Sequence, residues 1–191
     1  MNDNIDFHIK PVGPVSRKFL DHNILTFMEA TEFIRQLSYG RNKNKLDLTT
    51  IFADNCGTCS TKHAVLKQLA KENNVDNLKL VTGLFRMNAS NTPKIAATLA
   101  QHNLDYIPEA HNYLKYGSQI LDYTNKTSTP ADFENELIEE SEIQPEQISD
   151  FKVKYHKQYL ANWLAKQKTL HLTLDELWKI REQCIVDLST N

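Results

Sequence analysis

The sequence has no excess of charge of one sign and no long apolar run, and each absence excludes a class of protein. Its 22 Lys and Arg residues stand against 24 Asp and Glu residues, which gives a formal net charge of -2. No basic stripe is available to neutralise a run of phosphates, so we expect no nucleic-acid partner. No segment approaches the roughly 18 consecutive apolar residues of a membrane span. We therefore expect no membrane partner either.

Cysteine is also scarce, because the chain contains only Cys56, Cys59 and Cys184. An odd number of cysteines cannot be fully paired within one chain. The start, Met1-Asn2-Asp3-Asn4, lacks the basic and apolar segments of a signal peptide, so we expect a cytoplasmic protein. In a reducing compartment, thiols persist for chemistry, metal binding or packing rather than for disulfides. The close pair Cys56 and Cys59 is therefore the first candidate for chemistry.

The overall composition predicts a globular protein. Apolar residues make up 40% of the chain and charged residues 24%, unlike the profile of a disordered sequence. At 191 residues the length fits a single domain over 1–191. Apolar residues at helical spacing predict an N-terminal helix over 20–38 and a C-terminal helical extension over 145–188.

Three further segments complete this outline. We place the core of the fold at 45–125. In the C-terminal extension we expect one aromatic stripe to lie in the core; its members are Phe151, Tyr155, Tyr159 and Trp163. Acidic residues cluster between Asp132 and Glu142, and we predict a solvated helix face or a loop there, with no assigned function.

The run from Asn55 to Ala64 is the most informative part of the sequence. Cys59 precedes an amphipathic helical pattern, and the free N–H groups and dipole of a helix N-terminus stabilise a thiolate. Gly57 is expected to let the backbone turn sharply into this helix. The Cys59 amide is expected to face a developing oxyanion, where a positioned donor contributes roughly 3 kcal/mol. We therefore predict that Cys59 is a nucleophile.

A base and an orienting acid follow downstream. Strand-like segments over 111–116 and 119–123 flank Gly117-Ser118, which suits a hairpin turn. His111 opens the first segment and Asp122 lies near the end of the second, so the hairpin is expected to bring them side by side. His111 is the predicted base for Cys59, and Asp122 is predicted to orient its ring.

Together, three motifs resemble those of the transglutaminase-like superfamily of papain-like cysteine enzymes: the run GTCSTKHAVL from Gly57, His111-Asn-Tyr-Leu, and Ile120-Leu-Asp-Tyr-Thr. The resemblance covers Cys56 to Thr124. It implies an α+β fold in which the nucleophile helix packs on an antiparallel sheet, with N- and C-terminal helices added.

The same resemblance implies an acyl-transfer enzyme, such as an amide hydrolase, a peptidase or a transglutaminase-like enzyme. Its site would be Cys59, His111 and Asp122, its substrate a peptide, a protein or a small amide, and it would need no cofactor. An inactive member that binds a partner through the old cleft is one alternative.

Two other mechanisms compete for the cysteine pair. Cys56-Gly-Thr-Cys59 is a Cys-x-x-Cys between an apolar segment and a helix, as in thiol-disulfide oxidoreductases, and Cys56 would then attack. Cys56, Cys59 and His63 could instead bind zinc, but a fourth ligand is missing, so we expect no metal. We interpret His63 as a partly exposed helix residue.

Three polar residues are secondary candidates. Arg41 offers a planar fork of donors for a substrate carbonyl or carboxylate, unless it is simply a solvated loop residue. Asn55 would supply a side-chain oxyanion donor, or else serve only as a turn residue. Glu109 is interpreted as a surface acid, the alternative being that its charge raises the pKa of His111.

Overall fold

The protein is a mixture of helices and strands, as a computed structural model that describes residues 5–189 shows. This agrees with the α+β class in its coarse form. Met1–Asn4, on which the expectation of no signal peptide depends, lie outside the described residues. Between residues 5 and 189, no helix has both the length and the apolar character needed to cross a membrane.

The helices and strands alternate irregularly along the chain. The helices are α1 (Pro14–Asp21), α2 (Phe27–Gln36), α3 (Thr50–Asp54), α4 (Cys59–Glu72), α5 (Ala96–Gln101), α6 (Asp150–Leu164) and α7 (Leu174–Ser189). The strands are β1 (Ser38–Tyr39), β2 (Cys56–Gly57), β3 (Leu78–Asn88), β4 (Tyr106–Tyr116), β5 (Gln119–Leu121) and β6 (Leu137–Ile143). Short 3-10 helices cover Pro93–Ile95, Pro130–Asp132, Glu134–Glu136 and Pro145–Ile148.

The strands form two sheets, and the predicted hairpin turn at Gly117-Ser118 is confirmed. The predicted strand bounds are wrong, because β4 begins at Tyr106, before His111, and β5 ends at Leu121, before Asp122. The larger sheet has the order β5-β4-β3-β6, and the smaller one pairs β1 with β2 in parallel. β4 and β5 are antiparallel, with Leu114 opposite Leu121 and Tyr116 opposite Gln119. Gly117 has φ +58, a left-handed conformation that glycine adopts without steric cost.

The chain divides into two compact units. The first contains the residues up to Thr82 together with Asn112–Pro130 and Ser141–Ser149, and the second contains Gly83–His111, Ala131–Glu140 and the residues from Asp150 onward. Cys59 and Asp122 therefore belong to the first unit and His111 to the second. The single domain over 1–191 and the core over 45–125 stay predictions.

The single helix predicted over 20–38 is wrong, because this region forms two helices. α1 ends at Asp21, and Asn23 adopts a left-handed conformation with φ 58. α2 then begins with a capping box, in which the Glu29 N–H donates to Thr26 Oγ1 and the Thr26 N–H donates to the Glu29 carboxylate. The apolar spacing runs across this break, so periodicity alone does not reveal it.

Three helices end in the same left-handed motif, built on asparagine rather than glycine. After α1, α4 and α5, the left-handed residue is Asn23, Asn74 and Asn103. At the end of α4, Asn74 N–H donates to Lys71 O (3.2 Å) and Val75 N–H donates to Ala70 O (2.9 Å). The equivalent bonds close α1 and α5. These are the paired bonds of a Schellman motif, which satisfy carbonyls that the helix leaves free.

Helix α4 lies at the centre of the first unit. Ala64, Val65, Leu66 and Leu69 are fully buried in one cluster with apolar residues from α1, α2 and three strands of the larger sheet. At its other end, the Glu72 carboxylate accepts hydrogen bonds from the N–H groups of Val15 (3.2 Å) and Ser16 (2.7 Å). A carboxylate at these free donors stabilises the start of α1 and fixes it to α4.

The acidic segment is not the predicted helix face or loop. Residues 137–143 form β6, and Ile143 is buried in the core of the first unit. The Lys79 ammonium lies 2.9 Å from the Glu142 carboxylate. The apolar residues Leu137, Ile138 and Ile143 support this strand, whereas the interpretation from sequence weighed only the acids.

The C-terminal region contains two helices, α6 and α7, but its predicted aromatic stripe is not core. Phe151 is 42% exposed, and Tyr155 is only half-buried, with its hydroxyl on the Glu139 carboxylate (2.5 Å). The buried positions of α6 are His156 and Leu160. Aromatic side chains with a polar tip are stable at such a boundary, so helical spacing of aromatics does not by itself indicate a core.

Candidate functional site at the start of helix α4

Cys59 is the first residue of α4, as the sequence predicts, and it is 8% exposed. Its Sγ lies 4.0 Å from the hydroxyl of Ser60. The Ser60 hydroxyl donates to Asn112 Oδ1 (3.0 Å), and Asn112 Nδ2 donates to Thr82 Oγ1 (2.9 Å). This buried polar chain fixes the first turn of α4 against β3 and β4, since each polar group has a partner.

Gly57 has a different role from the one predicted. It lies in β2 opposite Tyr39, and the left-handed conformation that favours glycine is found at Gly117 rather than here. A Cβ at position 57 would lie 2.9 Å from Thr61 Oγ1 and 3.0 Å from Lys62 Cγ. Glycine is therefore needed for the close approach of β2 to the first turn of α4, not for a sharp turn.

Lys62 is fully buried, one turn after Cys59. Its Nζ donates to the carbonyl oxygens of Leu37 (2.5 Å) and Thr124 (2.7 Å). Burial lowers its pKa to about 8, while the nearby Cys56, Asp122 and Cys59 act in the opposite direction. Lys62 was not singled out from the sequence, although its spacing of three residues from Cys59 predicts that both lie on one helix face.

His63 is also fully buried, which overturns its interpretation as a partly exposed residue. Its Nδ1 lies 2.8 Å from the Cys59 carbonyl oxygen, and its Nε2 accepts a hydrogen bond from the Tyr123 N–H (2.7 Å). Because Nε2 accepts, we assign the proton to Nδ1, which then donates to Cys59 O. The ring thus joins the first turn of α4 to the segment after β5.

Asp122 lies beside this histidine. Its Oδ1 is 3.4 Å from His63 Nε2, and the residue is 7% exposed. The same oxygen accepts hydrogen bonds from the N–H (2.9 Å) and the hydroxyl (2.6 Å) of Thr124. These donors stabilise the ionised carboxylate and fix its orientation. The structure therefore brings Asp122 and the first turn of α4 together.

His111 lies on β4 in the second unit and is half-buried. Its ring makes edge contacts with Phe133 (4.8 Å between centroids) and Phe85 (6.3 Å). An aromatic surround of this kind restricts the orientation of the imidazole. The role of His111 as the base for Cys59 stays a prediction.

Glu109 is buried rather than a surface acid. Both carboxylate oxygens accept from Arg181, at 2.8 Å from Nε and 2.5 Å from NH2. Burial raises the pKa of Glu109, but the Arg181 guanidinium outweighs it and leaves the pKa at about 2. The Arg181 guanidinium therefore keeps Glu109 ionised.

The two tentative substrate-binding residues lie next to the small sheet in the sequence. Arg41 comes two residues after β1, and Asn55 directly precedes β2. Arg41 is exposed and follows Gly40, whose N–H donates to Gly57 O (3.3 Å). Asn55 is exposed and left-handed (φ 50) at the end of α3, which is the geometry of a turn residue. Asn42, which was not predicted, donates to Cys56 O (2.8 Å) and fixes this loop on β2.

The structure describes the surroundings of the cysteine pair on which the two competing mechanisms depend. The apolar segment that the redox alternative places before Cys56 folds in part as helix α3. Among residues 5–189, no group of three His, Cys, Asp or Glu side chains is arranged to hold a metal ion. Both ring nitrogens of His63, the third proposed zinc ligand, are occupied by the backbone contacts at 2.8 and 2.7 Å.

Comparisons with known proteins add no assignment, because no family model, curated protein or solved structure matches the chain. The residues themselves are therefore the basis of any function proposed for this site.

Proposed function

We propose that the chain is a cysteine-dependent acyl-transfer enzyme of transglutaminase-like type, acting in the cytoplasm on a peptide, a protein or a small amide. Cys59 is the nucleophile, His111 the base and Asp122 the residue that orients it. The α+β class is consistent with the papain-like core that the motif resemblance implies.

The main support for the proposal is the position of Asp122. This residue is distant in sequence, yet it lies at the first turn of the helix that Cys59 begins. The His63 ring lies between them: Nδ1 is 2.8 Å from Cys59 O, and Nε2, which accepts from the Tyr123 N–H, is 3.4 Å from Asp122 Oδ1. Burying a carboxyl group is costly unless it is paired, so an almost fully buried Asp122 against the helix that Cys59 begins marks a candidate functional site. The hairpin that joins β4 to β5 places Asp122 directly after β5.

The proposed reaction begins with transfer of the Cys59 thiol proton to His111. The thiolate forms a bond to the substrate carbonyl carbon, and the C=O electron pair moves to oxygen. When the oxyanion collapses, the C–N bond breaks and the amine leaves with the proton from His111. Water then gives a proton to His111 and attacks the thioester, which releases the acid and regenerates Cys59. An amine in place of water gives transamidation.

The test uses 4-nitrophenyl acetate, an activated ester that reports the first acyl transfer. We expect a burst of nitrophenolate and an acetyl thioester on Cys59, located by peptide mass spectrometry. Cys59→Ala removes both. His111→Gln slows acylation by a factor of about 10² or more, the usual contribution of a positioned base.

Cys56→Ser and Cys184→Ser are the matched controls, since each removes one of the other thiols and should keep the burst. An acetyl group found on Cys56 instead of Cys59, or a wild-type protein without any burst, contradicts the proposal. Reduction of a protein disulfide by the wild type that is lost in Cys56→Ser would instead establish the thiol-disulfide oxidoreductase.

A further inference from the structure

Lys62 lies fully buried in the first turn of α4, and the proposed reaction gives it no role. Burying an ammonium costs free energy unless nearby groups compensate for the lost hydration. A helix position facing the core would accept Leu or Met at no such cost. The presence of lysine at this position therefore calls for a reason in its contacts.

Lys62 donates hydrogen bonds to two segments of the chain. One precedes the strand that pairs with Cys56, and the other contains Asp122. Leu37, whose carbonyl accepts at 2.5 Å, directly precedes Ser38, and Ser38 lies opposite Cys56 in the small sheet. Thr124, whose carbonyl accepts at 2.7 Å, itself donates two hydrogen bonds to Asp122. Lys62 therefore ties the predicted acid and the strand beside Cys56 to the helix of Cys59.

The two carbonyl oxygens do not by themselves require a charge, because a neutral amine also has two N–H donors. The groups that favour the ammonium are the acids around it. Cys56 from β2, Asp122 from the segment after β5 and Cys59 from α4 itself each raise the pKa of Lys62 against the effect of burial. Lys62 Nζ, held between the Leu37 and Thr124 carbonyls one helical turn from Cys59, is therefore fixed among these acids.

We propose that Lys62 is a positioning residue whose buried positive charge, one helical turn from Cys59, stabilises the Cys59 thiolate and holds Asp122 at the first turn of α4. The inference rests on the proposed role of Cys59 as nucleophile and adds to it the source of thiolate stabilisation. Lys62 does not touch the substrate, since its side chain is fully buried.

The test measures the rate at which iodoacetamide alkylates Cys59 as a function of pH, in a Cys56→Ser/Cys184→Ser background so that a single thiol reports. Lys62→Met keeps the length of the side chain and removes its charge. We expect the midpoint of the profile to move up by about one pH unit and the rate at pH 7 to fall roughly tenfold. An unchanged midpoint overturns the proposal.

Lys67→Met is the matched control on the same helix. Lys67 is buried too, and its Nζ donates to Leu78 O (2.6 Å), but the charges around it are Asp76, Glu142 and Lys71 rather than the thiols. A buried ammonium is lost in both variants, so a general loosening of α4 would move both profiles. The proposal requires that Lys67→Met leave the Cys59 midpoint in place, and an equal shift in both overturns it.

A second measurement does not depend on how Lys62→Met folds. The lysine side chains are labelled with ¹³C at Cε, and the Lys62 resonance is titrated by NMR in the wild type and in Cys56→Ser/Cys59→Ser. Removing both thiols takes away two groups that raise the pKa of Lys62, so its titration should move to lower pH than in the wild type. A titration that stays in place contradicts the proposal.

These readouts separate the two hypotheses. If Lys62→Met shifts the alkylation profile but no acyl-enzyme forms, the proposed function fails and the effect of Lys62 on the thiol stands. If the acyl-enzyme forms and the profile does not shift, only the role of Lys62 is wrong.

Discussion

The Asp122 carboxylate lies 3.4 Å from Nε2 of His63, but the hydrogen bond at that nitrogen comes from the Tyr123 N–H (2.7 Å). His63 therefore donates no hydrogen bond to Asp122, whose carboxylate is held by the N–H and hydroxyl of Thr124. His63 acts as a bridge between the first turn of α4 and the segment after β5, because its other nitrogen lies 2.8 Å from Cys59 O.

His63→Ala is expected to destabilise the protein by about 2–4 kcal/mol, since it opens a cavity and leaves the Tyr123 N–H without its acceptor. Urea unfolding followed by circular dichroism measures the loss, and the acylation burst should slow with it. His22→Ala is the control, because the exposed His22 ring also contacts a carbonyl four residues earlier, Lys18 O at 2.9 Å. Equal losses in the two variants would show that the bridge to Tyr123 contributes nothing.

Gly57→Ala tests whether glycine is needed for space beside α4. The new Cβ would lie 2.9 Å from Thr61 Oγ1 and 2.9 Å from Ile51 Cδ1, so β2 and the first turn of α4 must separate. We expect a loss of stability of about 1–3 kcal/mol and weaker alkylation of Cys59.

Gly117→Asn is the control for Gly57→Ala. Position 117 has a left-handed conformation, and no atom lies within 4 Å of a Cβ placed there. Asparagine tolerates that conformation, so stability measured in the same urea titration should change by less than roughly 0.5 kcal/mol. A tolerated Gly57→Ala would contradict the steric explanation.

The elements with local signals were predictable from the sequence, and those set by long-range contacts were not. The hairpin was predictable because Gly117-Ser118 and the flanking alternation are local. The start of α4 at Cys59 was predictable for the same reason. The break at Asn23 was missed because apolar spacing continues through it, although an asparagine followed by an apolar residue also ends α4 and α5.

The buried charged residues could not be predicted from the sequence for the same reason. Nothing in the sequence distinguishes Lys62, His63 and Glu109 from ordinary surface residues. The groups that stabilise their side chains come from distant parts of the chain. No spacing rule predicts such partners. Asp122 was selected as a candidate only because the hairpin and the motif together pointed to it.

The left-handed asparagines give a prediction that is independent of the site. Asn74 has φ 61 at the end of α4, where an alanine Cβ would be strained. Asn74→Ala should cost about 1 kcal/mol in the free energy of unfolding, whereas Asn74→Gly should be neutral or slightly stabilising. Urea titrations of the two variants provide the comparison. If alanine is tolerated as well as glycine, the backbone at this helix end is not left-handed in solution.

The Glu109–Arg181 pair predicts how stability depends on pH. The pKa of Glu109 is about 2 in the folded protein against 4.5 for an ordinary glutamate, so the unfolded chain binds a proton more readily. The stabilisation is therefore complete above pH 4.5 and is lost as the pH falls toward 2, by about 3 kcal/mol in total. Arg181→Met leaves a buried carboxylate without its cation and should cost about 3–5 kcal/mol at pH 7.

The loss in Arg181→Met should shrink as the pH falls from 7, because burial without the guanidinium raises the pKa of Glu109 and protonation then relieves the unpaired carboxylate. Urea unfolding at pH 7 and pH 3 measures it, with tryptophan fluorescence as the signal, since Trp163 and Trp178 both belong to the second unit. Arg86→Met is the control: its ion pair with Glu136 spans 3.6 Å between exposed side chains and should be worth less than about 1 kcal/mol. A cost for Arg181→Met that is equal at both pH values would mean that the guanidinium stabilises the second unit by packing on Trp178, 5.2 Å from the ring centroid, rather than by its charge.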